Sequence, residues 1–94
     1  MVKLGLIGCG AIGTILAKAI EERLQEKFML KVIFDISSEK TRALKERLHS
    51  SPIAAPDFST FLAQSLDIAI EAASQEAVKA VSYTHLTLPT KRIV

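Results

Sequence analysis

Leu4-Gly5-Leu6-Ile7-Gly8-Cys9-Gly10-Ala11-Ile12-Gly13 is the segment from which the architecture of this chain follows. An apolar run, typical of a buried strand, passes into three glycines spaced G-x-G-x-x-G and then into a helical pattern. In such a unit the first glycine allows a tight turn, the second leaves room for a pyrophosphate, and the third lets the helix approach the sheet. The helix then directs its free N–H groups at the phosphates. The segment predicts a dinucleotide site at Gly8, Gly10, Ala11, Ile12 and Gly13.

Hydrophobic spacing on either side of the glycines predicts a strand, a helix and a second strand. Residues 2–7 form the first strand, and the helix runs from residue 11 to about 26. Residues three and four apart share one helix face, which gives a buried face of Ile12, Ile15, Leu16, Ala19, Ile20 and Leu24. Residues 29–35 form the second strand, and its continuous apolar run is typical of a parallel strand buried on both faces.

Asp35 ends the second strand at the position where this motif places a ribose-binding acid, about 20 residues past the glycines. We expect its carboxylate to accept hydrogen bonds from the adenosine ribose and to repel a 2′-phosphate, which favours NAD over NADP. Ser37, Ser38 and Lys40 follow closely and keep NADP open as a cofactor. The alternative is that Asp35 is an ordinary solvated acid at a strand end.

The rest of the chain continues the alternation of strands and helices. Ser37 or Ser38 caps a helix that runs to about residue 49, with an apolar face of Ala43, Leu44 and Leu48. Residues 53–56 form a short strand or a loop. Asp57 then caps a short helix whose core residues are Phe58, Phe61 and Leu62. This order predicts the α/β class, as a Rossmann-type doubly wound parallel sheet of which only the N-terminal half is present.

A last strand at residues 67–73 is followed by Ser74, which caps a further helix. Ligands of doubly wound sheets lie at the carboxyl ends of the strands. We therefore expect Ala73 and Ser74 to border the cofactor. The alternative is that these small residues only end a buried strand and cap a helix. Cys9 likewise has two interpretations, a thiol activated by the helix N-terminus or a small packing residue.

Composition excludes several classes of function. The formal charge is +2, and Lys91 and Arg92 account for the imbalance, so no basic surface for nucleic acid is expected. No apolar run approaches the ~20 residues of a membrane span, and we see no signal peptide. A single cysteine cannot form an intrachain disulfide, in keeping with a reducing cytoplasm. Cys9, His49 and His85 do not form a metal-binding pattern, so no metal is predicted.

The last residues do not continue the pattern of the domain. The helix that starts at residue 75 breaks off after residue 80 without a stop signal. Residues 81–90 (VSYTHLTLPT) are similar to the translation of a DNA-library adapter, the transposase end. We interpret residues 1–80 as the truncated NAD(P)-binding domain and residues 81–94 as a non-native tail. The alternative is a genuine C-terminal β segment.

Three segments together resemble the N-terminal domain of the L-aspartate dehydrogenase family, within the wider group of aspartate/homoserine dehydrogenase NAD-binding domains. They are residues 4–13, residues 32–35 and residues 71–78 (EAASQEAV). The resemblance implies a full-length parent that passes a hydride from L-aspartate, a CH–NH2 donor, to NAD or NADP. The product would be iminoaspartate, which hydrolyses to oxaloacetate.

The same resemblance implies a second domain with the aspartate site and a catalytic histidine, and neither is present in the 94 residues. We therefore assign no catalytic residue and expect the chain alone to be inactive. A homo-oligomeric, cytoplasmic parent with a small amino-acid substrate is implied as well. Two alternatives stay open: a Rossmann dehydrogenase acting on homoserine, a sugar or an imine, and a non-enzymatic dinucleotide-binding module.

Overall fold

The structure, a computed structural model, describes residues 1–72 and Val94, and these form a parallel sheet with helices. The elements in chain order are β1 (Val2–Ile7), α1 (Ala11–Arg23), β2 (Phe28–Phe34), α2 (Ser38–Arg47), β3 (Ile53–Ala54), α3 (Phe58–Leu62) and β4 (Ile68–Glu71). The strand order is β3-β2-β1-β4, and every neighbouring pair is parallel. The predicted Rossmann-type α/β architecture is confirmed.

Two apolar layers cover the two faces of the sheet. The layer beneath α1 and α2 contains Leu4, Leu6, Cys9, Ala17, Ile20, Leu30, Ile33, Leu44 and Leu48. The layer beneath α3 contains Ile7, Val32, Phe34, Ala55, Phe61, Leu62, Leu66 and Ala69. Successive side chains of a strand point to opposite faces, so β1 and β2 contribute to both layers. Their continuous apolar runs follow from this position at the centre of the sheet.

A register shift in β2 changes which of its residues share a face. Leu4 of β1 pairs with Leu30, whereas the next residue, Gly5, pairs with Val32. Lys31 is therefore the extra residue of a β-bulge, and it interrupts the alternation. Beyond the bulge Ile33 joins Leu30 in the layer beneath α1 and α2. The strand thereby buries three consecutive apolar residues without placing the Lys31 charge in a core.

The buried face of α1 differs from the face predicted by periodicity. Ile12 and Ile15 are 65% and 68% exposed, and the buried residues are Gly13, Ala17 and Ile20. Leu16 packs partly buried against the core as predicted. The cause is the close approach of the helix to the glycine turn. The helix can come this close only with the face that carries Gly13 and Ala17 toward the sheet. The helix also ends three residues earlier than expected, and Leu24 is exposed.

The local predictions for α2, β3 and α3 are confirmed in most respects. Ser37 is the N-cap of α2, and its side chain accepts the Lys40 N–H at 3.4 Å. Asp57 caps α3 by accepting the Thr60 N–H at 2.7 Å, and this bond lowers the pKa of Asp57. Residues 53–54 are a strand. The predicted face of α2 was wrong at one position, because Thr41 is buried where Ala43 was expected.

Three aromatic rings fill the layer beneath α3. Phe34, Phe58 and Phe61 lie with ring centroids 6.0–6.4 Å apart, and Phe61 is completely buried. Burying a side chain of this size stabilises a fold by about 1.5–3 kcal/mol. The prediction that Phe58 and Phe61 are core residues is confirmed. The ring of Phe61 lies directly beneath Gly5, which has no side chain to displace it.

The C-terminal predictions lie almost entirely outside the described residues. Ala73, Ser74, the helix expected after them and residues 81–93 belong to that part, so the boundary at residue 80 stays a prediction. Val94 is described, and its N–H donates to the Ala69 carbonyl while its own carbonyl accepts the Glu71 N–H, both at 2.8 Å. Among the described helices, none has the length and apolar character needed to span a membrane.

A methyl group at Gly5 should destabilise the fold. A Cβ there would overlap Leu66 Cδ1 and would lie 2.6 Å from Phe61 Cζ in a packed layer. We expect Gly5→Ala to lower the free energy of unfolding by about 1–3 kcal/mol, the usual cost of overpacking. Urea denaturation followed by circular dichroism measures this change. Gly10→Ala is the matched control, because no described atom lies within 4 Å of its Cβ; equal midpoints for the two variants would contradict the prediction.

Glu21 should make stability depend on pH in the acid range. Burial raises the pKa of its carboxyl, but the backbone N–H groups of His49 and Ser50 outweigh it, and the pKa is lowered from 4.5. A lowered folded-state pKa means that the stabilisation is complete above the unfolded value and is lost as the pH falls through the folded one. We expect the wild-type chain to exceed Glu21→Gln in stability at about pH 6, and this difference to shrink by about pH 3. A difference that stays constant between these two urea titrations would contradict the assignment.

Candidate dinucleotide-binding site

The glycine turn begins at Gly8, whose backbone has a conformation that glycine adopts readily and other residues rarely adopt. Its φ is 102°, in the left-handed region that side chains disfavour. The Gly8 N–H donates to the Phe34 carbonyl at 2.7 Å. The chain therefore leaves β1 while still bonded to the end of β2, and the turn is held at the carboxyl edge of the sheet. Sequence spacing alone predicted this role for Gly8.

Gly13 brings α1 against that turn. A Cβ at Gly13 would overlap the carbonyl oxygen of Gly8 and lie 2.8 Å from its carbonyl carbon. Backbone atoms cannot rotate away as a side chain can, so a larger residue would push the helix off the sheet. The third glycine of the motif therefore has the predicted packing role.

Gly10 differs from the other two glycines because the space beside it is open. No atom of the described residues lies within 4 Å of a Cβ built at this position. Gly10 is also the N-cap of α1, and neither a capping side chain nor an acid in the first turn occupies this helix end within the described residues. Ala11 and Ile12 are exposed there. The first N–H groups of a helix have no partner within it, so this end of α1 can receive an anionic group.

Asp35 joins the glycine turn to the loop after β2. Its Oδ2 accepts the Cys9 N–H at 2.7 Å, and its Oδ1 accepts the Ser37 N–H at 2.8 Å. The side chain is half-buried, and both of its oxygens accept backbone hydrogen bonds. A carboxylate has about four lone-pair sites, and the bonds within residues 1–72 that involve Cys9 and Ser37 leave two of them for further donors such as ribose hydroxyls.

Thr41 supports the Asp35 loop from beneath, and sequence reasoning missed it. Its hydroxyl is buried and lies 3.3 Å from the Ser37 carbonyl and 3.5 Å from the Asp35 carbonyl, to which it donates. Periodicity could not identify it, because a threonine in a helix is usually counted with the polar face. A usable signal is its spacing from the N-cap Ser37, since a threonine four residues on can bond back to that carbonyl.

Cys9 is an inert part of the turn. Burial and, to a smaller extent, the nearby Asp35 charge raise the pKa of its thiol to about 12, although a hydrogen bond with the Thr41 side chain lowers it. The thiol is therefore protonated at neutral pH. Of the two interpretations of Cys9, the small packing residue is the one that the structure supports, because only the thiolate is nucleophilic.

Two cavities flank the glycine turn and Asp35. One of about 420 Å³ lies between α1 and α2, and its lining includes Gly10, Ala11, Lys40 and Arg47. The other, of about 210 Å³, lies beside the end of β2, with Asp35, Ile36, Ser38 and Arg42 in its lining. Lys40 and Arg47 thus line the cavity at the open N-terminus of α1, where anions are favoured, and Arg42 lines the cavity beside Asp35.

Six of the eight predicted site residues come together at this edge: Gly8, Gly10, Ala11, Ile12, Gly13 and Asp35. Ala73 and Ser74 lie outside the described residues. Ala72, just before them, donates its N–H to the Ile7 carbonyl at 2.8 Å. That bond places the end of β4 beside the end of β1, next to the glycine turn. In the described part of the chain no group of three acidic, histidine or cysteine side chains forms a metal site.

The chain is similar in sequence to several L-aspartate dehydrogenases. It is 36% identical over 84 residues to the enzyme of Nitrosopumilus maritimus (strain SCM1), covering 87% of this chain and 30% of the relative. It is 38% identical over 79 residues to the enzyme of Methanospirillum hungatei JF-1, covering 84% of this chain and 29% of the relative. The chain therefore spans less than a third of the length of these curated relatives.

Solved structures with the same fold include two dehydrogenases. The myo-inositol dehydrogenase of Lactobacillus casei, in complex with NAD(H) and myo-inositol, superposes with a TM-score of 0.83 at 22% identity, over 98% of this chain and 27% of that one. The UDP-N-acetylglucosamine 3-dehydrogenase of Acidithiobacillus ferrooxidans gives 0.74 at 20% identity, over 97% and 28%. At these identities the likeness establishes the fold alone.

The sequence profile described as "Homoserine dehydrogenase, NAD binding domain" matches residues 8–88, which is most of the chain. Its span begins at the first glycine of the turn and includes Asp35 and β4. The fold, the glycine turn and this match agree, and the chain belongs to the homoserine dehydrogenase NAD-binding domain family.

Proposed function

We propose that this chain is the NAD-binding part of an oxidoreductase, and that its full-length parent is an L-aspartate dehydrogenase. One observation carries the first half of the proposal. The uncapped N-terminus of α1 and the open space at Gly10 lie directly beside a carboxylate fixed at the end of β2. This arrangement offers backbone N–H donors to a pyrophosphate and an acceptor to a ribose within one turn.

Each group of the cofactor has a matching group on the chain. The pyrophosphate would lie over Gly10, where the N–H groups of Ala11 and Ile12 reach it. The ribose hydroxyls would donate to the lone pairs of Asp35 that its two backbone bonds leave free. We further propose that Ala73 and Ser74 border the cofactor. When bound, NAD would accept the hydride, and this chain would hold and orient the NAD.

The carboxylate of Asp35 supports NAD over NADP. A 2′-phosphate would lie against that negative charge, which its bonds to Cys9 and Ser37 hold in place. Lys40 and Arg42 line the adjoining cavities, so the repulsion is partly offset and NADP is proposed as the weaker ligand. A pair of opposite charges at an exposed site contributes about 1 kcal/mol or less.

The substrate half of the proposal rests on the sequence relatives, which are L-aspartate dehydrogenases. We propose L-aspartate as the donor of the parent, iminoaspartate as the product, and a cytoplasmic homo-oligomer as its state. We assign no catalytic residue within residues 1–80 and propose that the chain alone is inactive. Residues 81–94 are proposed to be a non-native tail.

Gly10→Ala should weaken NAD binding without unfolding the chain. The added methyl group meets no described atom, but it would occupy the space proposed for the pyrophosphate. We expect the NAD dissociation constant to rise at least about tenfold, measured by isothermal titration calorimetry. Ser59→Ala, an exposed change on α3, is the control and should leave binding unchanged. Wild-type affinity in folded Gly10→Ala would contradict the placement of the pyrophosphate.

Turnover should require the parent and not this chain alone. We expect a full-length protein carrying this domain to form NADH from NAD and L-aspartate, followed by absorbance at 340 nm. Homoserine is the competing substrate to test in the same assay. Faster turnover with homoserine would overturn the aspartate proposal, and NADH formation by the purified 94-residue chain would overturn its proposed inactivity.

A further inference from the structure

We propose that Asp35 is a positioning residue for the phosphate-binding turn, in addition to any contact it makes with ribose. This inference rests on the proposed function, because it concerns how the turn receives a pyrophosphate. The two oxygens of the Asp35 carboxylate have different partners. One oxygen bonds the Cys9 N–H and the other bonds the Ser37 N–H, so a single side chain ties together two loops far apart in sequence.

The bond to Cys9 lies at the point of the turn where the backbone direction matters. The preceding N–H, that of Gly8, already bonds the Phe34 carbonyl within the sheet. The following residue, Gly10, is the N-cap of α1. Cys9 is thus the link between a residue fixed by the sheet and a residue fixed by the helix. Its bond to Asp35 sets the orientation of the peptide that leads into the open space at Gly10.

The remaining contacts of Asp35 show that its own position is fixed. Thr41 donates its buried hydroxyl toward the backbone carbonyls of Asp35 and Ser37. Ser37 in turn caps α2 with its side chain. The carboxylate is therefore anchored to α2, and through Cys9 it transfers that anchorage to the phosphate turn. All of these bonds join groups of the chain itself.

An asparagine cannot replace the carboxylate in this role. Its side chain has one acceptor oxygen, and its NH2 group can only donate. In Asp35→Asn either the Cys9 N–H or the Ser37 N–H faces a donor and loses its partner. The charge change acts in the opposite direction, because removing a negative group beside a pyrophosphate favours binding. If Asp35 only bound ribose, the substitution Asp35→Asn would therefore not weaken the binding of a ligand that lacks ribose hydroxyls.

The test compares two ligands, ADP and 2′,3′-dideoxy-ADP, which differ only in the ribose hydroxyls. We expect Asp35→Asn to weaken both, with a loss of roughly tenfold for the dideoxy ligand, as for a lost hydrogen bond to a charged group. Calorimetry or NMR titration measures both dissociation constants. Glu39→Gln, an exposed acid in the first turn of α2, is the control for charge and should not weaken either ligand.

Unchanged or tighter binding of dideoxy-ADP by folded Asp35→Asn overturns the positioning role and leaves the proposed function intact. Absence of ADP binding by the unaltered chain overturns both. If Asp35→Asn does not fold, Asp35→Glu keeps the charge but displaces the oxygens, and unchanged dideoxy-ADP affinity in it overturns the inference. In the unaltered chain the Cys9 amide should be protected from hydrogen exchange, and exchange at the rate of a free amide overturns it as well.

Discussion

The contact of Gly13 with the carbonyl oxygen of Gly8 is the constraint on which the rest of the structure depends. It joins the start of α1 to the end of β1 at a distance that no side chain tolerates. The helix axis and its rotation are fixed by that contact, since moving either would separate the two backbones. The small residue Ala17 follows on the same face, and the helix lies close to the sheet along that face. The close approach also aims the first turn of α1 at the carboxyl edge of the strands.

The sequence predicted the elements and their order because these depend on local patterns. Apolar runs identified β1 and β2, and side-chain caps identified the starts of α2 and α3. The predicted buried face of α1 was wrong, because periodicity assigns the buried face from the spacing of apolar residues. Ile12 and Ile15 are more hydrophobic than Gly13 and Ala17, the small residues that lie against the sheet. Close packing prefers small residues there, and hydrophobicity does not reveal that preference.

The candidate site was predictable where a motif fixes chemistry and not where the tertiary fold supplies it. The spacing of three glycines and a later acid identified Gly8, Gly10, Gly13 and Asp35. The bonds that hold them together come from backbone N–H groups of Cys9 and Ser37. Every residue except proline carries such a donor, so no sequence pattern singles these two out. The register shift at Lys31 could not be predicted from the sequence either, because it depends on pairing between strands.

The position of the candidate cofactor site follows from the geometry of a single sheet. The turn, Asp35 and α1 are assembled within 72 residues by contacts among neighbouring elements of one sheet. Dehydrogenases of an inositol and of a nucleotide sugar share this fold over 97–98% of the chain. At 20–22% identity this likeness shows the fold alone. The chain spans 29–30% of the L-aspartate dehydrogenases that it resembles, and the proposed cofactor contacts lie where the glycine turn, Asp35 and the end of β4 meet.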